Sequence, residues 1–153
     1  MRSSAPLLLL LLASTAPAAP SRPEEALMEE IERVVVLPEG AKPLNAYGRN
    51  YAYSGKDMVT AIYLLPFPPL NMSEGCEVML EDFESRPCTD EEIAEIAKSD
   101  ETAVAAQTPA GERRWYNSSH DLPFINDGGC TQVTVDYDTA TRRVLKAACN
   151  GHA

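Results

Sequence analysis

Between Gly129 and Asn150 two β-prone runs flank a four-residue polar turn, Asp138-Thr-Ala-Thr141, with a cysteine near each outer end. This is the pattern of a β-hairpin. If Tyr137 pairs with Arg142, antiparallel counting sets Cys130 opposite Cys149. A disulfide closes that gap with small local adjustment. The same register sets Asp136 against Arg143 and Thr134 against Leu145. The other face, with Thr131, Val133, Val135 and Tyr137 against Ala148, Lys146, Val144 and Arg142, is expected to enter the core. Lys146 and Arg142 would then extend their charged heads to an edge.

The other two cysteines are Cys76 and Cys88. An even number of cysteines in an exported chain points to disulfides. Of three connectivities, Cys76–Cys88 with Cys130–Cys149 is expected, because each bridge closes a short local segment. The alternatives would tie the acidic middle of the chain to the hairpin.

Export is read from the first residues. Met1-Arg2, an unbroken Leu7–Leu12 run and Ala16-Pro17-Ala18 form a signal peptide over residues 1–18, leaving one domain over residues 19–153. The apolar run is well short of the roughly 20 residues that a spanning helix needs, so no membrane span is expected after cleavage. The chain carries a formal net charge of −10, which argues against nucleic acid and anionic membrane as partners. Between Glu74 and Glu101 stand 11 acidic residues against Arg86 and Lys98 alone. That segment reads as a solvated helix and loop face, or as a docking face for a basic protein partner or for calcium.

Ser21-Arg-Pro-Glu24 is a capping box opening a helix from Pro23 to Val36, with Leu27, Ile31 and Val34 at helical spacing beside Met28 and Val35. Asn45–Tyr53 then alternates: Tyr47, Arg49, Tyr51 and Tyr53 on one face, and Ala46, Gly48, Asn50 and Ala52 on the other. With the turn Ser54–Asp57 and the run Met58–Leu65 it predicts a second hairpin, whose small-residue face would accept the first helix. Pro66–Leu70 should run extended, with Phe67 and Leu70 either plugging the core or projecting from it. Cys76 to Cys88 encloses Val78, Leu80 and Phe83, predicting a short strand clipped by its own disulfide. Thr89–Glu92 caps a short second helix carrying Ile93, Ile96 and Ala97. Ser99–Gly111 has no apolar period and reads as a loop. Glu112–Tyr116 predicts a fifth strand, Asn117–Asp121 a polar turn, and Leu122–Ile125 an apolar plug. Asn126–Gly129 predicts a turn admitting positive φ. The fold class is α+β: an antiparallel sheet of four to five strands from two hairpins, packed by an N-terminal helix and a short second helix, with two disulfides.

Chemistry is sparse. Only His120 and His152 exist. No His-x-His or Cys-x-x-Cys pattern is present, so neither a zinc nor a redox site is expected. Glycine-rich phosphate loops are missing, and Asn126–Gly129 lacks the spaced oxygens of a calcium loop. No cofactor is expected. His120-Asp121 with Ser118 or Ser119, or an acidic pair such as Glu81-Asp82 or Glu91-Glu92, would be needed for a small hydrolase. Asn71-Met-Ser73 and Asn117-Ser-Ser119 are sequons, relevant only in a eukaryotic host. The candidate partner contacts are Tyr47, Tyr51, Tyr53, Phe67, Trp115 and Tyr116, because aromatic side chains favour binding surfaces.

Asp127-Gly-Gly-Cys130, Val133-x-Val135-x-Tyr137 and Cys149-Asn-Gly151, with Tyr51-Ala-Tyr and Ala61-Ile-Tyr63, make the chain similar to small uncharacterised exported proteins of GC-rich Gram-negative bacteria. That resemblance implies a secreted or periplasmic compartment and a two-disulfide α+β fold, and brings no activity with it. The expected function is a non-catalytic binding or inhibitor-type module, or an envelope accessory protein. A structural or stress-related envelope protein and the small hydrolase are the alternatives.

Overall fold

The computed structural model describes residues 20–151, apart from the side chain of Glu74. The expected signal peptide and His152 lie outside that range. The element order is α1 (Arg22–Val34), β1 (Gly48–Gly55), β2 (Met58–Leu64), β3 (Glu77–Met79), β4 (Ser85–Pro87), α2 (Asp90–Ala106), β5 (Arg113–Trp115), β6 (Gly129–Asp138) and β7 (Arg143–Asn150). Five strands form one sheet in the order β5-β1-β2-β6-β7, while β3 and β4 pair separately. The α+β class and both hairpins are as expected. The sheet is mixed, however, because edge strand β5 runs parallel to β1.

Helix α1 starts where its capping box places it: the Ser21 N–H donates to the Glu24 carboxylate at 2.6 Å. It ends at Val34, two residues before the expected Val36, and Val35 is already extended. Three successive valines are stiff at χ1 and weaken the last turn. Met28 and Ile31 are fully buried against the sheet.

The sheet face under α1 is the tyrosine face, which reverses the expectation that the small-residue face would take the helix. Tyr47 and Tyr51 are fully buried, with Tyr63, Val59, Val133 and Val135 around them. The larger apolar area goes to the face that α1 covers, since burial scales with area removed from water. The small face serves a different need. A Cβ at Gly48 would stand 1.9 Å from the Thr108 carbonyl oxygen, so glycine there admits the backbone that follows α2.

The cysteine pairing is as expected: Cys130–Cys149 and Cys76–Cys88 are both bonded. The register is not. Tyr137 pairs with Val144 rather than Arg142, Asp136 with Lys146, Thr134 with Ala148, and Val133 with Cys149, with irregularities at both ends of the ladder. Bulges absorb the extra residues and still bring the Cα atoms of Cys130 and Cys149 to 4.5 Å. Core positions Val133, Val135 and Tyr137 hold, but their partners are Val144, Ala147 and Cys149. Thr131 and Leu145 are exposed, and Lys146 pairs across the opposite face. Arg142 leaves the strand for the turn with φ 56°. Its guanidinium meets Glu30 of α1 at 2.5 Å, where the Tyr137 hydroxyl also donates.

Helix α2 corrects the loop reading of Ser99–Gly111: it runs on to Ala106. Thr89 and Glu92 form its capping box, at 2.8 and 3.3 Å. The missing apolar period has a physical cause, since none of its described residues is fully buried. Alanine propensity at Ala103, Ala105 and Ala106 carries the helix through without a packed stripe. The disulfide-clipped segment holds two strands rather than one, and Met79 and Phe83 project from its tip.

Candidate functional site

The second face of the sheet meets α2 without closing on it. Between them lies a groove of about 510 Å³. Leu64 and Asn50 form its floor, and Leu65-Pro66-Phe67 one wall. Ala103, Ala106 and Gln107 of α2 form another, and Tyr116 with Pro123-Phe124-Ile125 closes the end. None of the described lining residues is charged, in a chain of which 24% is charged.

Hydrogen bonds that stay within the protein hold the walls apart. The Gln107 side-chain amide takes both backbone groups of Phe67, accepting from its N–H at 2.8 Å and donating to its carbonyl at 3.2 Å. Asp100 accepts from the Leu70 N–H at 2.9 Å. This lays the proline-rich segment along α2, where Phe67 and Leu70 stay about half exposed. The Thr108 hydroxyl donates to Asn50 Oδ1 at 2.6 Å, and Asn50 Nδ2 donates to the Gly48 and Ile62 carbonyls. Arg114 donates to the Ala106 carbonyl at 2.8 Å, satisfying the C-terminus of α2. The Ile125 N–H donates to Gln132 Oε1 at 2.8 Å, and Asn150 Nδ2 donates to the Ile125 carbonyl. The expected plug is therefore a rim: Phe124 is 61% exposed.

The six expected contact residues separate. Tyr47, Tyr51 and Trp115 are buried under α1, where Tyr51 and Trp115 stack with ring centroids 6.4 Å apart. Tyr53 packs edge-on to Trp115 at 5.0 Å and is partly exposed. Buried rings offer no face to a partner, and here they pack the core. The Tyr47 hydroxyl donates to the Cys130 carbonyl at 2.8 Å and accepts from the Lys42 N–H. The Tyr51 hydroxyl donates to Glu32 at 2.7 Å. Burial pushes the Tyr51 phenol well above its usual range and the Tyr63 phenol up to about 12. Arg49, also buried, brings its Nε to 2.9 Å from Glu32, an ion-pair contact, and donates from Nη2 to the Gly111 carbonyl at 2.8 Å. Only Phe67 and Tyr116 of the six line the groove.

Sequence reading missed the rest of the lining, among them Leu64, Ala103, Gln107 and Phe124. A usable signal was present: Thr102–Gly111 and Met58–Ser73 carry no charged residue, and their juxtaposition builds most of the walls.

His120 sits exposed on a 3₁₀ turn over Ser119–Asp121 and does not line the groove. The Ser118 hydroxyl accepts from the His120 backbone N–H, as a cap does. Glu81, Asp82 and Glu91 are exposed. Glu92 is held by Arg86 through contacts at 2.7 and 2.8 Å, which lower its carboxyl to about 2. Among the described residues no group of three or more His, Cys, Asp or Glu side chains could hold a metal ion, and no helix is long and apolar enough to cross a membrane. Compared with known proteins, the chain matches no family model, no curated protein and no solved structure.

Proposed function

We propose that this protein is a non-catalytic binding module of an oxidising, extracytoplasmic space, secreted or periplasmic, and that the groove between α2 and the sheet is its binding site. The observation that carries the reading is the charge-free groove itself. Its volume of about 510 Å³ falls in the range of small-molecule sites, which are concave, mostly apolar and furnished with few polar groups. Close packing is the rule in protein interiors. A 17-residue helix with no described residue fully buried departs from it just where the groove opens. The compartment rests on the two disulfides, on the leader read from the sequence and on the resemblance to exported proteins.

The test uses Nile red, an uncharged dye whose emission rises in apolar surroundings. Ala103 and Ala106 are exposed helix positions, so Ala103→Phe adds bulk to the groove wall without entering the core. The wild-type protein should enhance and blue-shift the dye at one saturable site. A103F should lose that signal with its thermal unfolding unchanged. An equal response from both proteins would overturn the assignment.

A further inference from the structure

We infer that the ligand of this groove is a neutral, largely apolar small molecule. The inference rests on the groove being the binding site. Charge selects the class. No described lining residue is charged, and the nearby guanidinium of Arg114 is committed to the carbonyls of Ala106 and Gln107 at the end of α2. A carboxylate or phosphate seated here would find no cation, and would approach a chain of net charge −10 against its field. An ammonium would find no carboxylate in the groove to compensate its lost hydration.

Polarity narrows the class further. The donors of Asn50 are spent on Gly48 and Ile62, its oxygen on Thr108, and the Gln107 amide on Phe67. These groups shape the groove without being free to bind. Phe67, Tyr116 and Phe124 supply flat apolar surface, which favours rings.

The experiment compares three probes of one shape, 2-naphthalenemethanol, 2-naphthoate and 2-naphthylmethylammonium, by calorimetric titration of the disulfide-bonded protein and of A103F. The alcohol should bind the wild type at least tenfold more tightly than either ion, and A103F should lose that binding. If an ion binds as tightly as the alcohol and is lost in A103F, the neutral class is overturned while the groove remains the site. If the alcohol fails to bind although Nile red still reports the groove, the inference again falls alone. If neither the probes nor Nile red distinguish A103F from wild type, the binding site itself is wrong. Tighter binding of acetyl-Leu-Phe-amide than of the alcohol would replace the small molecule by a peptide.

Discussion

At the scale of single residues, charges do their most useful work where α1 meets the sheet. Glu32 accepts from the Tyr51 hydroxyl and contacts Arg49, while Glu30 receives both the Tyr137 hydroxyl and the Arg142 guanidinium. Those hydrogen bonds, Arg142 first, hold the Glu30 carboxyl at about 2, below its ordinary 4.5. A carboxyl lowered in the folded state stabilises the fold above its unfolded pKa, and that contribution is lost as pH falls toward its folded pKa. Thermal unfolding temperature should therefore drop between about pH 4.5 and about pH 2. Glu30→Gln should unfold at a lower temperature than wild type near neutral pH and show a shallower drop, so that the two curves converge at the acid end. Parallel curves would show that Glu30 does not govern this limb. The Glu92–Arg86 pair adds a second acid-sensitive contact of the same sign, at the start of α2.

At the scale of elements, the two disulfides enclose similar lengths of chain, with sequence separations of 12 and 19. Loop-closure entropy alone would credit each with about 3 kcal/mol. Their surroundings differ. Cys149 packs against the main core, whereas Cys76 and Cys88 staple a two-stranded hairpin with Met79 and Phe83 largely exposed. Replacing Cys130 and Cys149 by serine should cost the whole domain about 3 kcal/mol in urea unfolding. The Cys76 and Cys88 double serine variant should leave that transition nearly unchanged and make only the β3–β4 segment open to proteolysis. Equal losses from both variants would mean that the hairpin unfolds with the core.

At the scale of the whole molecule, the packing is lopsided. Helix α1 and strands β1, β2 and β6 share the buried cluster, while β3, β4 and α2 contain no fully buried described residue. Local opening free energy follows buried contact, so protection should follow it too. In native-state hydrogen exchange, amides of β1, β2 and β6 should exchange about a hundredfold more slowly than those of β3, β4 and α2. A ligand in the groove should slow α2 selectively. Uniform protection across both halves would show that the groove walls are part of one cooperative core.

Much of the fold was written in local patterns. Caps such as Ser21–Glu24 and Thr89–Glu92 join residues three apart, and alternation marks Asn45–Tyr53 as a strand whatever surrounds it, although the strand itself begins only at Gly48. The two cysteine pairs each sit within about one hairpin's length, so their pairing needed no knowledge of the rest. Those features depend on neighbours in the chain, which is why residue order alone determined them. Which sheet face α1 covers, the parallel direction of β5, the bulges that displace Cys130, and the groove were decided only when distant segments met. Gly48 and Thr108 are 60 positions apart, and no local preference at either announces that one backbone will lie against the other. The groove exists because two charge-free stretches, each unremarkable in its own neighbourhood, are held side by side but not in full contact.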